Sequence, residues 1–574
     1  MTDETLEKAI LAAHEADDLE TLARLYAKAG EQMEESGSID KACFFYTISY
    51  VFALEGGLDD IIRSSHGKLV QYGREELSGK FCAPTIAFLV TGREDAGAYL
   101  LRFDMEENLM GARKDTSPVQ SEGEINTSAR RLDWASRTHD AATQRALEAD
   151  AHAFLHQSVS SPCLSVIAKA EGAYIEDAQG RRYLDFHGNN VHHIGYGHPR
   201  LKKAIAEQMD TLPFAPRRFA CEPATLLAEK LASISPGNLS KVLFTTGGSD
   251  AVEVALKLAR AATGRHKTVS FWDAFHGAGF GASSVGGEQL FRSHIIGPLL
   301  SGTEHVAPFA CYRCPYGYPD KDGQPVLEQC NMTCANFVRY VLEKEGDVAA
   351  VVAEPARAVP YIPPPGFWAE VRKACNDHGA LLIFDEIPTG LGKTGRMFAC
   401  DHDDVVPDIL VMGKSLGGGI LPIAAVLARP DLDVAGDFAF GHFTHEKNPV
   451  TTRAALTTIE IIEDEGLAEN AANLGRHAIE RLNEMKTRHK VIGDVRGRGF
   501  LFGAELVTDR DEKTPADDLA EDVFYRCLDK GLSFKISMGN TLTFTPPLIL
   551  TREQMDFALD AIDEAITETA GQRN

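Results

Sequence analysis

Lys414 stands between the apolar run that ends "DILVMGK" and the glycines Gly417, Gly418 and Gly419. Twenty-nine residues earlier, Asp385 and Glu386 follow directly on the apolar "LLIF". A carboxylate emerging from a buried strand must be solvated, paired or functional, because desolvating it unpaired costs several kcal/mol. Further upstream, "TTGGSDA" closes one apolar run and opens the helical "DAVEVALKLARAA". There Gly247 and Gly248 let a ligand approach the backbone closely, while Ser249 and Asp250 are helix-start residues whose neighbouring N–H groups face outward. Such a turn is an anion cradle. Taken singly, the three features are an ordinary turn, a helix cap and a solvated lysine.

Together they have one economical explanation, pyridoxal phosphate. The cradle holds its phosphate, Lys414 forms an imine with its aldehyde, and Asp385 pairs with the pyridine nitrogen. A carboxylate beside that nitrogen keeps it protonated, so the ring accepts electrons from a carbanion formed on a substrate. Lysine is the side chain able to form the imine, and once displaced by a substrate amine it is a free base that moves a proton. On this reading the glycines after Lys414 leave room for the cofactor.

The elements that must position these groups follow from periodicity. "KVLFTT" (241–246), "DVAAVVAE" (347–354), "ALLIFDE" (380–386) and "DILVMGK" (408–414) are short, apolar on both faces and separated by helical stretches. They predict a parallel sheet in an α/β domain, with ligands at the strand ends. Residues 1 to about 75 carry apolar residues at i, i+3 and i+4, with breaks at Gly37 and Gly56, and predict helical hairpins. The part from Leu25 to Leu54 resembles one tetratricopeptide-type unit, read here as a packing or oligomer-contact element. "ARKDTSPVQSEGEINTSARR" is polar, as a linker should be.

A chain of 574 residues exceeds what one core usually supports. Its 83 acidic residues against 58 basic ones leave a net charge of -25, which repels nucleic acid and anionic lipid. No apolar run approaches the roughly 18 residues of a membrane span, and the start "MTDETLEKAI" lacks the basic and apolar regions of a signal peptide. A soluble cytoplasmic protein with reduced thiols is expected.

From about 160 to 570 the chain resembles class III aminotransferases among the fold-type I pyridoxal-phosphate enzymes. The motifs that carry the resemblance include "YIEDAQGRRYLDF", "GYGHPRL", "FTTGGSDAVEVALKLAR", "FHG", "AEPARAVPYIPPPGFW", "LLIFDEIPTGLGKTGRMFA", "PDILVMGKSLGGG", "NPVTTRAAL", "VRGRGFLFGAEL" and "TFTPPL", in that order. The resemblance implies an α/β fold with a mostly parallel large domain (205–475) that binds the cofactor and an α+β small domain (150–204 with 476–574), behind a linker (121–149) and an all-α extension (1–120). It implies Lys414 as the Schiff-base lysine, Asp385 at the pyridine nitrogen, Ile387 backing the ring, and Gly247, Gly248 and Ser249 on the phosphate. Phe275 is implied to stack on the ring with His276 beside it, Glu354 to lie near the cofactor, and Thr444 to reach the phosphate of a neighbouring subunit, hence a homodimer.

Departures from the family pattern concern the substrate. Pro388 stands where a glutamine is frequent, "THEKNP" replaces a Gly-Gly pair with His445, Glu446 and Lys447, and Thr543 stands where many members place the arginine that forks an α-carboxylate. Arg217, Arg218, Arg357, Arg498 and Lys535 are the candidate replacements. The leading expectation is an aminotransferase passing an amino group from an amine or ω-amino acid-like donor to a keto acid. A second is an ammonia-lyase acting on an amino alcohol phosphonate, since "FHGNNVHHIGYGHPR" and "THEKNP" are similar to that branch. A third is a non-catalytic binding protein, against which intact Lys414 and Asp385 argue. Cys311, Cys314, Cys330 and Cys334 have near-zinc spacing, and animal 4-aminobutyrate aminotransferases place an iron–sulfur cluster on a similar stretch, but reduced structural thiols and no metal site are expected here.

Overall fold

The computed structural model describes residues 9–71 and 127–572, apart from residues 11, 14–15, 17, 36–38, 159–160 and 293–295. The chain forms two compact units, Met1–Ser117 and Pro118–Asn574.

In the first unit, the helices Leu19–Glu35, Ile39–Gly56 and Asp59–Gln71 bury Leu22, Ala23, Ile48, Phe52, Ala53 and Ile61 together. Buried hydroxyls tie them: Ser49 Oγ donates to the Ala23 carbonyl (2.8 Å) and lies 3.0 Å from Ser65 Oγ. The second helix ends at Gly56, as expected; Gly37 lies outside the described residues.

In the second unit a seven-stranded sheet has the order Lys241–Thr245, Ala424–Ala428, Ile409–Met412, Leu381–Asp385, Val348–Ala353, Lys267–Phe271, Thr303–Val306. Only Ala424–Ala428 runs against its neighbours. Every residue of Val348–Ala353, Leu381–Asp385 and Ile409–Met412 is buried, which is why these strands read as unbroken apolar runs. The helix Gly248–Thr263 starts directly after the first strand, lays Ala251, Val252, Ala255 and Ala259 on the sheet, and stops at Gly264 in the left-handed conformation. The two-stranded pair Asp320–Lys321 with Gln324–Pro325 and two further sheets of four or more strands complete the body. One joins Ile167–Glu171, Tyr174–Asp177 and Arg182–Asp185 to Leu532–Ser533; the other orders Ile492–Arg498, Leu501–Asp509, Thr541–Phe544 and Lys535–Ser537, all antiparallel.

The segment expected as a linker, 121–149, is corrected over its described part: it folds into the helix Ala129–Thr138 and enters the helix Ala141–Ala153. Ser128 and Asp140 cap them by accepting the N–H groups of Arg131 (3.0 Å) and Thr143 (2.8 Å). The first helix is fastened to the helix Asp517–Asp529 by a Arg130–Asp522 ion pair (2.6 Å) and by Trp134, whose Nε1 donates to Asp529 (2.9 Å). Among the described residues no helix is long and apolar enough to cross a membrane.

Trp134 is 1% exposed, so Trp134→Ala should lower the unfolding free energy by about 3–5 kcal/mol. Denaturant titration of the full chain measures this; a change within error would make the helix a detachable tail.

Candidate active site

Three adjacent strand ends meet at the centre of the large sheet. Ala353 pairs with Phe384 and Asp385 with Val411, so Glu354, Asp385 and the turn leading to Lys414 lie side by side. Asp385 is 2% exposed. Its Oδ1 accepts the Ile387 N–H (3.0 Å), and its Oδ2 accepts from His276 Nδ1 (2.8 Å), which puts the imidazole proton on Nδ1. His276 comes from the loop after Lys267–Phe271, is equally buried, and leaves Nε2 without a partner. The neighbouring Glu386 is held differently, accepting the N–H groups of Ala399 (3.0 Å) and Cys400 (2.9 Å) and the Thr389 hydroxyl (2.9 Å).

The turn at Gly247 is pressed against both of these elements. A Cβ on Gly248 would lie 2.8 Å from Ile387 Cδ1, and one on Gly277 (φ +126) 2.5 Å from Ser249 Oγ. Ser249 Oγ accepts the Ala278 N–H (3.0 Å), and Thr246 donates to Asp250 (2.7 Å), locking the start of the helix. Phe275 and Ile387 each keep part of their surface open among buried neighbours. A helix N-terminus without a side chain in the way, a buried acceptor carboxylate aimed by two donors, and two partly open apolar side chains fit a phosphate, a protonated pyridine nitrogen and a flat ring. The residues present therefore fit pyridoxal phosphate.

Lys414 has φ +45, uncommon for a residue with a side chain, at the start of a short 3-10 turn through Gly417. Among the described residues its Nζ has no hydrogen-bond or ion-pair partner, and it is only partly buried. The glycines that follow make room for the chain itself, which corrects the expectation that they make room for the cofactor. A Cβ on Gly418 would strike Leu201 and Thr458, and one on Gly419 would lie 3.1 Å from the Val191 carbonyl. The loop around residues 188–190 thereby reaches the lysine turn. It brings His187 near Lys414, and burial first, then Lys535, pushes that imidazole down to about 3. Sequence reasoning missed His187 as a site residue; the only signal was its place in "FHGNN". It also missed Lys393, fully buried and pushed down to about 7 by burial, whose ammonium donates to the carbonyls of Thr545 (3.3 Å) and Pro546 (2.8 Å) and so clamps the "TFTPPL" segment.

Glu354 is buried at its strand end beside Asp385. Other expected residues lie further out, and Thr444 is exposed on a loop of its own chain. Of the candidate cations, Arg217 pairs with Glu446 (3.3 Å), Arg498 pairs with Asp403 (2.9 Å), and Arg218 is exposed. Lys535 is buried and is the cross-strand partner of Thr543, so both side chains point to the same face. Thr543 turns its hydroxyl to the Thr541 carbonyl (3.4 Å). Cys311, Cys314, Cys330 and Cys334 line one small cavity, where burial pushes the Cys311 thiol to about 12 and the Cys334 thiol to about 11. Among the described residues no group of three or more His, Cys, Asp or Glu is arranged to hold a metal ion.

Residues 156–566 match the sequence model of the family described as aminotransferase class-III. An (R)-1-hydroxy-2-aminoethylphosphonate ammonia-lyase from Vibrio splendidus (strain 12B01) is 44% identical over 78% of this chain and 95% of its own length. A leucine/methionine racemase from Thermococcus litoralis is 39% identical over 70% of this chain and 90% of its own. Among solved structures, a Bacillus anthracis aminotransferase superposes with a TM-score of 0.68 at 31% identity, covering 75% of this chain and all (100%) of that one.

Burial raises Glu386 from an ordinary 4.5 to about 7, against the opposing pull of its three donors. The folded state thus keeps a proton that the unfolded state has lost, so stability falls as pH rises from about 4.5 to about 7. Glu386→Gln should flatten that part of the curve of unfolding free energy against pH. An identical slope in both proteins would mean the carboxylate is ionised throughout.

Proposed function

Because the chain belongs to the class III aminotransferase family, whose members depend on pyridoxal phosphate, we propose that it is an ammonia-lyase for a small amine carrying a hydroxyl and a phosphonate on the neighbouring carbon. The observation that carries this reading is position 543. A threonine whose hydroxyl faces its own backbone stands there, and the cation on that face is Lys535, a point charge. That wall lacks the arginine fork that would meet the planar carboxylate of an α-amino acid, so a substrate without an α-carboxylate suits it better. The similarity to the Vibrio phosphonate lyase supports the same substrate class.

When bound, pyridoxal phosphate supplies the electron sink that lets a C–H bond beside the substrate nitrogen ionise. The chain's own residues do the rest. Lys414, displaced from its resting bond, takes the proton from that carbon and returns it where needed. Asp385 would hold the protonated pyridine nitrogen, with His276 and the Ile387 N–H fixing the orientation of its carboxylate. The first turn of Gly248–Thr263 would hold the phosphate. Overall, a proton leaves the carbon bearing nitrogen, the hydroxyl leaves its neighbour as water, and a second water replaces the nitrogen. Ammonia and an aldehyde result without any oxidant.

An aminotransferase acting on an ω-amino acid-like donor and a keto acid is the second reading, supported by the likeness to the Bacillus anthracis enzyme. Under either reading the enzyme is a homodimer, with the exposed Thr444 serving the partner's site.

The wild-type protein, loaded with cofactor and given 2-amino-1-hydroxyethylphosphonate without any keto acid, should release ammonia over many turnovers. Stalling after one turnover, with release restored by a keto acid, would replace the lyase with the aminotransferase. Lys414→Ala should lose both the visible absorbance of the loaded protein and turnover. Asp385→Ala should still bind cofactor weakly but not turn over.

A further inference from the structure

Arg357 lies four residues beyond the Val348–Ala353 strand and is 3% exposed, yet none of its three guanidinium nitrogens has a hydrogen-bond partner among the described residues. The nearest carboxylate oxygen, on Glu354, is 3.8 Å from Nε, beyond hydrogen-bond reach. Its other neighbour is the ring of Tyr361, centred 5.7 Å away. The second buried arginine of this corner shows what satisfaction looks like: Arg496 donates to Asp494 (2.8 Å), Glu505 (2.8 Å) and the Pro360 carbonyl (3.1 Å). Five dry N–H donors on a fixed charge are costly to keep, and the cost is recovered when an anion arrives.

The loop that carries Arg357 bridges two parts of the site. The Arg357 N–H donates to the Tyr361 carbonyl (3.0 Å) and closes a short loop. Pro360 of that loop leans on Gly503, where a Cβ would lie 3.0 Å from its Cγ. Gly503 is the cross-strand partner of Thr543, and Thr543 is that of Lys535. At its other end the loop begins beside Asp385, through the pairing of Ala353 with Phe384. Arg357 thus belongs to a loop running from the strand end that carries Asp385 to the sheet that carries Thr543 and Lys535.

We propose that Arg357 grips the substrate's anionic group, a phosphonate, with the planar fork that Thr543 cannot supply. The identity of that anion rests on the lyase reading. Of the other arginines weighed for this task, Arg217 and Arg498 are already engaged by Glu446 and Asp403. Two N–H groups of the guanidinium meet two phosphonate oxygens, a geometry an ammonium does not reproduce.

Titration calorimetry with ethylphosphonate, which has no amine and does not react, tests this on cofactor-loaded protein. Arg357→Gln should weaken binding roughly 10- to 100-fold, Arg357→Lys should recover part of it, and both should keep the wild-type cofactor absorbance. With the reacting substrate, KM should rise by a similar factor while kcat changes little. Wild-type affinity for ethylphosphonate in Arg357→Gln overturns the proposal, and so does no detectable binding by the wild type. Should Arg357→Gln fail to fold, wild-type affinity in Arg357→Lys overturns it equally. Arg357-dependent ethylphosphonate binding without ammonia release would sink the lyase reading and leave this one standing; ammonia release with Arg357-independent binding would do the reverse.

Discussion

A carboxylate buried at the end of a central strand has to be met by positive charge, and the site is organised around that demand. Among the described residues Asp385 is reached by two donors, the Ile387 N–H and the His276 imidazole. Both aim the carboxylate, and its remaining requirement is for a cation in front of it. The adjacent Glu386 is the internal contrast. Three donors reach it and no open face remains, so it staples the loop at Ala399 and Cys400 to the strand. Two consecutive acids with the same burial therefore take different tasks, decided by which elements close over each.

Depth in the sheet makes this contrast possible. The three strands that converge here are buried along their whole length, so Glu354 and Asp385 at their ends are buried too. The turn at Lys414 then packs against the chain's own loop around Val191, which the glycines at 418 and 419 permit. The strained backbone at Lys414 is over-determined by those contacts, which is the condition under which such strain persists.

What was legible in the sequence follows the same physics. Fully buried parallel strands are unbroken apolar runs, and the residues that interrupt them stand out, so the sheet, Lys414, Asp385 and the Gly247–Ser249 turn could be read from spacing and residue type. Contacts between distant segments could not. His276 and Asp385 are 109 residues apart, and nothing local in "FHG" says that its histidine orients a carboxylate. The glycines after Lys414 were legible as space, but what fills that space is the loop around Val191. The helix Ala129–Thr138 is polar on most faces and reads as linker, because its anchors are one tryptophan and an arginine whose partners lie nearly four hundred residues on.

Relatives of this chain include a phosphonate ammonia-lyase, an amino acid racemase and an aminotransferase, each at least 31% identical. A lysine that moves a proton at the carbon beside nitrogen serves all three chemistries, so the lysine and its opposing carboxylate do not select among them. Selection must lie in what holds the rest of the substrate. On the proposed reading, an anion gripped beside the Thr543 face would orient the carbon chain, and that orientation would decide which bond lies parallel to the ionising C–H bond. If the aligned bond is to a hydroxyl, its loss competes with return of the proton, and ammonia release follows. Under the lyase reading proposed above, the groups around position 543 and Arg357, more than the residues that touch the cofactor, are where this chain's reaction would be decided.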